Sequence, residues 1–160
     1  MTRERSKSFV EVSHSIMPGM KTYPGLPEPQ AEVLLDYEAS RGVLRGTDVS
    51  GRAVLFRTDF SKNWATTAYF SNHPFLAAET CEQLVAMRPA FVGIDSLNID
   101  DTGDPSRPAH SLLLRAGIPV CEHMTNLEAI PSGEARLHAV PIAWLGGATF
   151  PVRAYVIVGG

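Results

Sequence analysis

The sequence contains little cysteine and no long apolar run. Only two cysteines, Cys81 and Cys121, occur among its 160 residues. Two cysteines without a paired motif exclude a disulfide framework and a zinc knuckle, and we interpret both as reduced thiols. No apolar run approaches the ~18 residues that a membrane-spanning helix needs. The first residues of the sequence contain no apolar segment of the kind that a secretory signal has, so we do not expect one. We therefore expect a cytoplasmic protein that has no contact with a membrane.

The sequence also has no large excess of charge of either sign. The net charge is only −3, and the basic residues are scattered apart from a small group at Arg3, Arg5 and Lys7. This distribution excludes the basic surface of a nucleic-acid-binding protein. A hydrophobic content of 44% with 19% charged residues is typical of a folded globular chain rather than a disordered one. The length predicts a single domain over residues 1–160, in which the polar residues 1–7 are expected to be disordered.

Several catalytic signatures are missing. The sequence has no glycine-rich phosphate loop, no G-x-S-x-G elbow, no C-x-x-C pair and no His-x-x-x-His pair. These absences leave no recognisable Ser or Cys nucleophile and no helical zinc motif. Chemistry in this chain must therefore rest on isolated histidines and carboxylates.

The order of apolar segments predicts an α/β fold. Helical spacing followed by a helix stop occurs in "LAAETCEQLVAMRP" (76–89) and "HSLLLRAG" (110–117). Runs rich in β-branched and aromatic residues predict strands, and they occupy residues 9–16, 52–59, 118–124, 135–144 and 150–158. Residues 90–100 predict a further strand that runs into a polar loop. Residues 17–29 are dense in Pro and Gly and predict a series of turns. We expect mixed β-sheets with short helices, because several connections are too short for helical crossovers.

The stretch "RPAHSLLLRAGIPVCEHMTNL" carries two possible metal ligands. Glu122 lies in an apolar predicted strand, where a carboxylate must be paired, hydrogen-bonded or metal-bound unless it is exposed on an edge strand. Alternation along that strand would turn Glu122 and His123 to opposite faces. His110 is a candidate ligand or base, although a histidine at a helix start can also be a plain surface or capping residue.

An acidic loop, "GIDSLNIDDTGD" (93–104), follows the predicted strand that begins at residue 90. Its aspartates, at positions 95, 100, 101 and 104, are candidates for binding a hard cation. Their spacing does not fit an EF-hand and no closing glutamate follows. Turn formation is the competing interpretation, and we favour it for Asp101 and Asp104.

Several segments together resemble one family. "VSHSIMPGMKTYPGLPEP", "GRAVLFRTDFSKNW", "YFSNHPFLAAETCEQLV", "FVGIDSLNIDD", "RPAHSLLLRAGIPVCEHMTNL" and "FPVRAYVI" are similar, in this order, to metal-dependent cyclase-like hydrolases, the family of bacterial arylformamidases. The resemblance implies a swivelling β/β/α fold and a homodimer. It also implies one or two divalent metals, zinc or manganese, and a small aryl amide substrate such as N-formylkynurenine.

The same resemblance implies which residues form the metal site and the substrate-binding site. The family's metal-site His and Glu fall on His110 and Glu122. The implied aromatic substrate draws attention to Tyr23, Pro24, Trp64 and Phe75 as substrate-binding residues. The alternative interpretation is that the aromatic residues belong to the core and that Pro24 only shapes its loop.

The chain departs from the family at its defining motif, H-x-G-T-H-x-D-x-P-x-H, which is not present. We interpret the departure as an internal deletion near Gly42, with part of the fold missing there. Substitute ligands are conceivable at His14, His123 and Asp95. Three hypotheses follow: an arylformamidase-like hydrolase with rearranged ligands, a non-catalytic relative that binds or interacts, and an internally truncated inactive product.

Overall fold

The computed structural model describes residues 8–15, 48–132, 135–142, 145 and 149–158. The predictions for residues 1–7, for the turns at 17–29 and for the deletion near Gly42 lie outside the described residues. The predicted contacts of Tyr23 and Pro24 lie outside them as well.

A parallel sheet forms the part of the fold that carries the acidic loop. Its strands are β2 (Ala53–Phe56), β3 (Phe91–Ile94) and β4 (Val120–Cys121), in the order β2–β3–β4. Parallel neighbours need long crossovers. Here the crossovers contain the helices α1 (Ala78–Met87) and α2 (Pro108–Arg115), together with the 3₁₀ turns Phe60–Asn63 and Thr67–Phe70. The helices and the sheet enclose a core whose fully buried members include Cys81, Leu84, Val92, Ile94 and Leu113.

The ends of both helices follow from their sequences. Helix α1 ends at Arg88, which adopts a left-handed conformation just before Pro89, and proline disfavours helical geometry in the residue that precedes it. Helix α2 begins with Pro108, whose fixed φ suits the first helical position. Gly117, at φ +75°, stops α2 as predicted.

An antiparallel sheet forms the other layer. Its strands are β1 (Ser8–Glu11), β5 (Ala135–Val140) and β6 (Arg153–Val158), in the order β1–β6–β5. On β6 the residues alternate, so that Ala154, Val156 and Val158 are buried. The segment after β1 joins this sheet to the other one, because the amide of Thr125 donates to the carbonyl of the fully buried Val12 at 3.0 Å.

The prediction of an α/β fold with short helices and strands of both orientations is confirmed, with parallel and antiparallel pairs segregated into two small sheets. The predicted strand over residues 118–124 was wrong in its extent. Strand β4 ends at Cys121, and His123 adopts a left-handed φ of 57°. The amides of His123 and Met124 then donate to Ser96 and Ile94. Strand alternation therefore does not govern the direction of Glu122. Among the described residues, no helix has the length and apolarity needed to cross a membrane.

Candidate functional site

The candidate site lies just beyond the carboxyl ends of the parallel strands, where α/β sheets commonly place their ligands. Asp95 follows β3 and is buried, at 2% exposure. Its carboxylate accepts hydrogen bonds from the Thr58 amide (2.6 Å), the Thr58 hydroxyl (2.7 Å) and the Asp59 amide (2.9 Å). Asp95 therefore ties the loop after β2 to the loop after β3.

The structure brings His110 and Glu122 together. His110 stands in the first turn of α2 and Glu122 is the first residue after β4. The His110 Nε2 atom lies 3.5 Å from Glu122 Oε1. That separation is too long for a good hydrogen bond, which would span about 2.7–3.2 Å. The two side chains face each other across a gap that neither fills.

Asp100 sets the orientation of His110. Its carboxylate, 1% exposed, accepts hydrogen bonds from the amides of Ala109 (2.5 Å) and His110 (3.1 Å) at the start of α2. It also lies 2.5 Å from His110 Nδ1. Burial opposes ionisation, but these hydrogen bonds, led by that from His110, hold the pKa of Asp100 below its usual value. In the tautomer that donates from Nδ1 to the Asp100 carboxylate, Nε2 presents its lone pair towards Glu122.

Glu122 is held from the opposite side. Its Oε1 accepts the Ile99 amide at 2.7 Å. Burial raises the pKa of Glu122, while that hydrogen bond and the nearby His110 and Arg107 act in the opposite direction.

A divalent metal fits the chemistry of this gap. Two ligands of a tetrahedral zinc ion, each about 2.1 Å from the metal, lie about 3.4 Å apart, close to the 3.5 Å observed. The Asp100–His110 pair is the carboxylate–histidine arrangement that commonly supports a metal ligand. The described residues nevertheless contain no group of three or more His, Cys, Asp or Glu side chains suited to one metal. They therefore provide two donors of a ligand set.

An aromatic cluster adjoins Glu122. The rings of His14 and Trp64 stack at 4.0 Å, and Trp64 meets Tyr69 and His123 edge-on at 5.0 and 5.7 Å. The Tyr69 hydroxyl lies 2.9 Å from His123 Nδ1. Burial lowers the pKa values of His14 and His123 to about 4 and raises that of Tyr69. All three groups are therefore neutral at pH 7. The cluster is an uncharged aromatic surface next to Glu122.

The other sequence candidates have different surroundings. Phe75 is half-buried and meets the ring of His73 edge-on at 6.2 Å, away from the contacts that define the Trp64 cluster. Asp101 and Asp104 each accept a backbone amide two residues further on, from Gly103 and Ser106. Both are turn residues, as the sequence predicted.

Sequence reasoning missed the Asp100 contact with His110 and missed Arg107. Asp100 was named only as a candidate cation ligand in the acidic loop, ten residues before His110, and not as the carboxylate that orients His110. Arg107 places Nη2 within 3.2 and 3.4 Å of the two His110 ring nitrogens. Nothing in the sequence signalled that contact, because it depends on the left-handed backbone of Arg107, at φ 45°.

Comparison with known proteins places the chain in a family. Residues 12–101 match the family described as "Putative cyclase", which is more than half of the chain, so the chain belongs to this family. A kynurenine formamidase of Polaromonas naphthalenivorans (strain CJ2) is 31% identical over 103 residues, covering 63% of this chain and 43% of that enzyme. The chain thus spans less than half the length of this curated relative. The recognition of a cyclase-family hydrolase from sequence is confirmed.

Solved structures of hydrolases share the fold. Isatin hydrolase A from Labrenzia aggregata, bound to benzyl benzoate, has a TM-score of 0.64 and 27% identity, covering 76% of this chain and 52% of that one. A structure described as a potential metal-dependent hydrolase with cyclase activity has a TM-score of 0.62 and 20% identity, covering 95% of this chain and 98% of that one. The second likeness concerns the fold alone.

Proposed function

We propose that the protein is a metal-dependent amide hydrolase that acts on a small aryl amide, in the manner of an arylformamidase. One observation carries the proposal: the oriented His110 Nε2 and the Glu122 carboxylate face each other at 3.5 Å beside Asp100. The relatives named kynurenine formamidase and isatin hydrolase support the hydrolytic chemistry and the aryl substrate. Zinc or manganese is the proposed metal.

Each residue has a proposed role. His110 and Glu122 hold the metal, and a bound divalent metal would lower the pKa of a water molecule and polarise the amide carbonyl. Asp100 keeps the Nδ1 proton of His110 in place, which leaves Nε2 free to bind. Trp64 offers the aromatic face that we assign to the substrate ring. Tyr23, Pro24 and Phe75 remain proposed substrate contacts.

The first test is metal content. Purified protein would be loaded with zinc or manganese, freed of excess metal and analysed by mass spectrometry, together with His110→Ala and Glu122→Gln. We expect close to one metal per chain in the wild type and a loss of at least tenfold in each variant. Glu128→Gln, which removes an exposed glutamate six residues further on, is the matched control and should retain the metal. Hydrolysis of formanilide would then be measured for the same four proteins.

The second candidate is a non-catalytic relative that binds a ligand without hydrolysing it. It is favoured by the presence of only two metal donors in one place among the described residues. Metal in the wild type no higher than in Glu122→Gln, together with absent hydrolysis, would support this candidate. An internally truncated inactive product would give the same two results but would unfold without a cooperative transition, which circular dichroism would detect.

We also propose a cytoplasmic homodimer, by resemblance to the family. Light scattering on a sizing column would give twice the 17.4 kDa of one chain if the proposal is correct.

A further inference from the structure

Arg107 is a cation at the edge of the candidate site that the proposed chemistry does not use. It is the residue before α2, and its side chain is 50% exposed. Its left-handed φ of 45° is uncommon for a residue with a side chain. The following Pro108 already disfavours helical geometry at this position. The backbone therefore holds the guanidinium beside His110 instead of extending it along the helix.

The guanidinium contacts leave most of its donors free. Nη2 lies at similar distances from both ring nitrogens of His110, 3.2 and 3.4 Å. The Nδ1–H group of His110 already donates a hydrogen bond to Asp100, so Nδ1 offers Arg107 no lone pair. The short distances therefore describe packing of the guanidinium against the imidazole rather than hydrogen bonds to both nitrogens.

The nearby carboxylates do not use the free donors either. Asp100 Oδ2 lies 3.9 Å from Arg107 Nε, and this carboxylate is already occupied by two amides and by His110. Among the described residues, the guanidinium's remaining polar contact is long, 3.5 Å from Nη2 to Asn98 Oδ1. A guanidinium has five N–H donors in a planar fork that matches a carboxylate. Within the part of the chain that the structure describes, the half-exposed fork of Arg107 has one ion pair, the 3.9 Å contact with Asp100, and no bidentate contact with an acid.

We propose that Arg107 is a specificity-determining residue that binds a carboxylate on the aryl amide substrate. The inference rests on the proposed function, since it places the scissile amide at the gap between His110 and Glu122. A carboxylate on the same aryl ring, next to the amide, would reach the fork of Arg107. The preferred substrates are then aryl amides that carry an ortho carboxylate, and neutral aryl amides are poorer substrates.

The test compares two substrates that differ in that group, N-formyl-2-aminobenzoate and formanilide. A paired, charge-assisted contact corresponds to roughly 10–100-fold in kcat/KM. Arg107→Gln should lose this factor on the carboxylated substrate, mainly through KM, and change less than threefold on formanilide. Arg107→Lys should lie between the two. Arg115→Gln, an exposed arginine at the end of the same helix, makes the same charge change and should behave like the wild type.

Equal losses on both substrates would show that Arg107 only compensates the charges of Asp100 and Glu122, and would overturn the proposal, as would no loss on either. If neither substrate is hydrolysed, the proposed function fails and the Arg107 proposal is decided by binding. Titrations followed by nuclear magnetic resonance would use 2-aminobenzoate and aniline. The proposal requires the wild type to bind 2-aminobenzoate at least tenfold more tightly than Arg107→Gln, with aniline binding alike to both. Without that difference it is wrong.

Discussion

At the scale of single residues, the candidate site depends on a carboxylate that faces no substrate. Asp100 is ionised although it is buried, because its carboxylate accepts hydrogen bonds from two amides at the start of α2 and from Nδ1 of His110. A helix N-terminus stabilises such an anion. The same hydrogen bonds fix both the position of α2 and the tautomer of His110. Asp100 therefore contributes both to the stability of the fold and to the proposed metal binding.

Replacing Asp100 by Asn should weaken metal binding about 10–100-fold, because the ring of His110 would lose its orienting acceptor. The amide group of Asn also turns a donor towards the donors of α2, so the free energy of unfolding should fall by roughly 1–3 kcal/mol. A zinc titration against a competing chelator, well below the melting temperature, would measure the first effect. Asp104→Asn changes an acid that accepts only a turn amide and is the control. Unchanged affinity in folded Asp100→Asn would contradict the assigned role.

At the scale of elements, helix α2 supports the site through one buried face. Leu113 is fully buried against the parallel sheet and α1, whereas the adjacent Leu114 is 53% exposed. The two leucines have the same chemistry and the same helix propensity. Comparing alanine variants of the two leucines therefore measures what burial of this face contributes to the helix that positions His110. His110 lies about one helical turn before Leu113.

Leu113→Ala should lower the free energy of unfolding by about 2–5 kcal/mol, because it removes buried methyl groups and leaves a cavity. Leu114→Ala should change it by no more than about 0.5 kcal/mol, as exposed positions usually do. Urea unfolding followed by circular dichroism gives both values. Similar midpoints for the two variants would show that α2 does not pack as described.

The elements were easier to predict from sequence than the site. Helices α1 and α2 carry their own stop signals, a Pro at position 89 and a Gly at position 117, and the strand segments at 52–59 and 150–158 are rich in β-branched residues. Strand β4 was predicted too long, because the left-handed turn at His123 rests on hydrogen bonds to Ser96 and β3, distant in sequence. The pairing of Asp100 with His110 has the same origin, since it forms only when the acidic loop folds back on α2.

At the scale of the whole molecule, the two sheets meet at neutral histidines. His14 follows β1 and stacks on Trp64, which belongs to the loop after β2, at 4.0 Å. Its Nε2 is buried and has no hydrogen-bond partner within the described ranges of the chain. Burial lowers the pKa of His14 to about 4 and also lowers that of His73. His123 also lies close to these histidines, since both lower its pKa further. Protonation of these buried rings would therefore oppose the contact between the two sheets.

Acid should therefore weaken the fold as the pH falls below 6.5. A free histidine has a pKa near 6.5, so between pH 6.5 and 4 the unfolded chain binds more protons than the folded one. The stability from neutral His14 is complete above pH 6.5 and is lost as the pH falls towards 4.

We expect the melting temperature to decrease from pH 7.5 to pH 5 and to decrease less in His14→Phe. The phenylalanine ring can stack on Trp64 but cannot take up a proton. Equal decreases in both proteins would place the acid sensitivity elsewhere. At pH 7.5 the variant should melt no lower than the wild type, because it removes an unpaired buried nitrogen rather than a hydrogen bond.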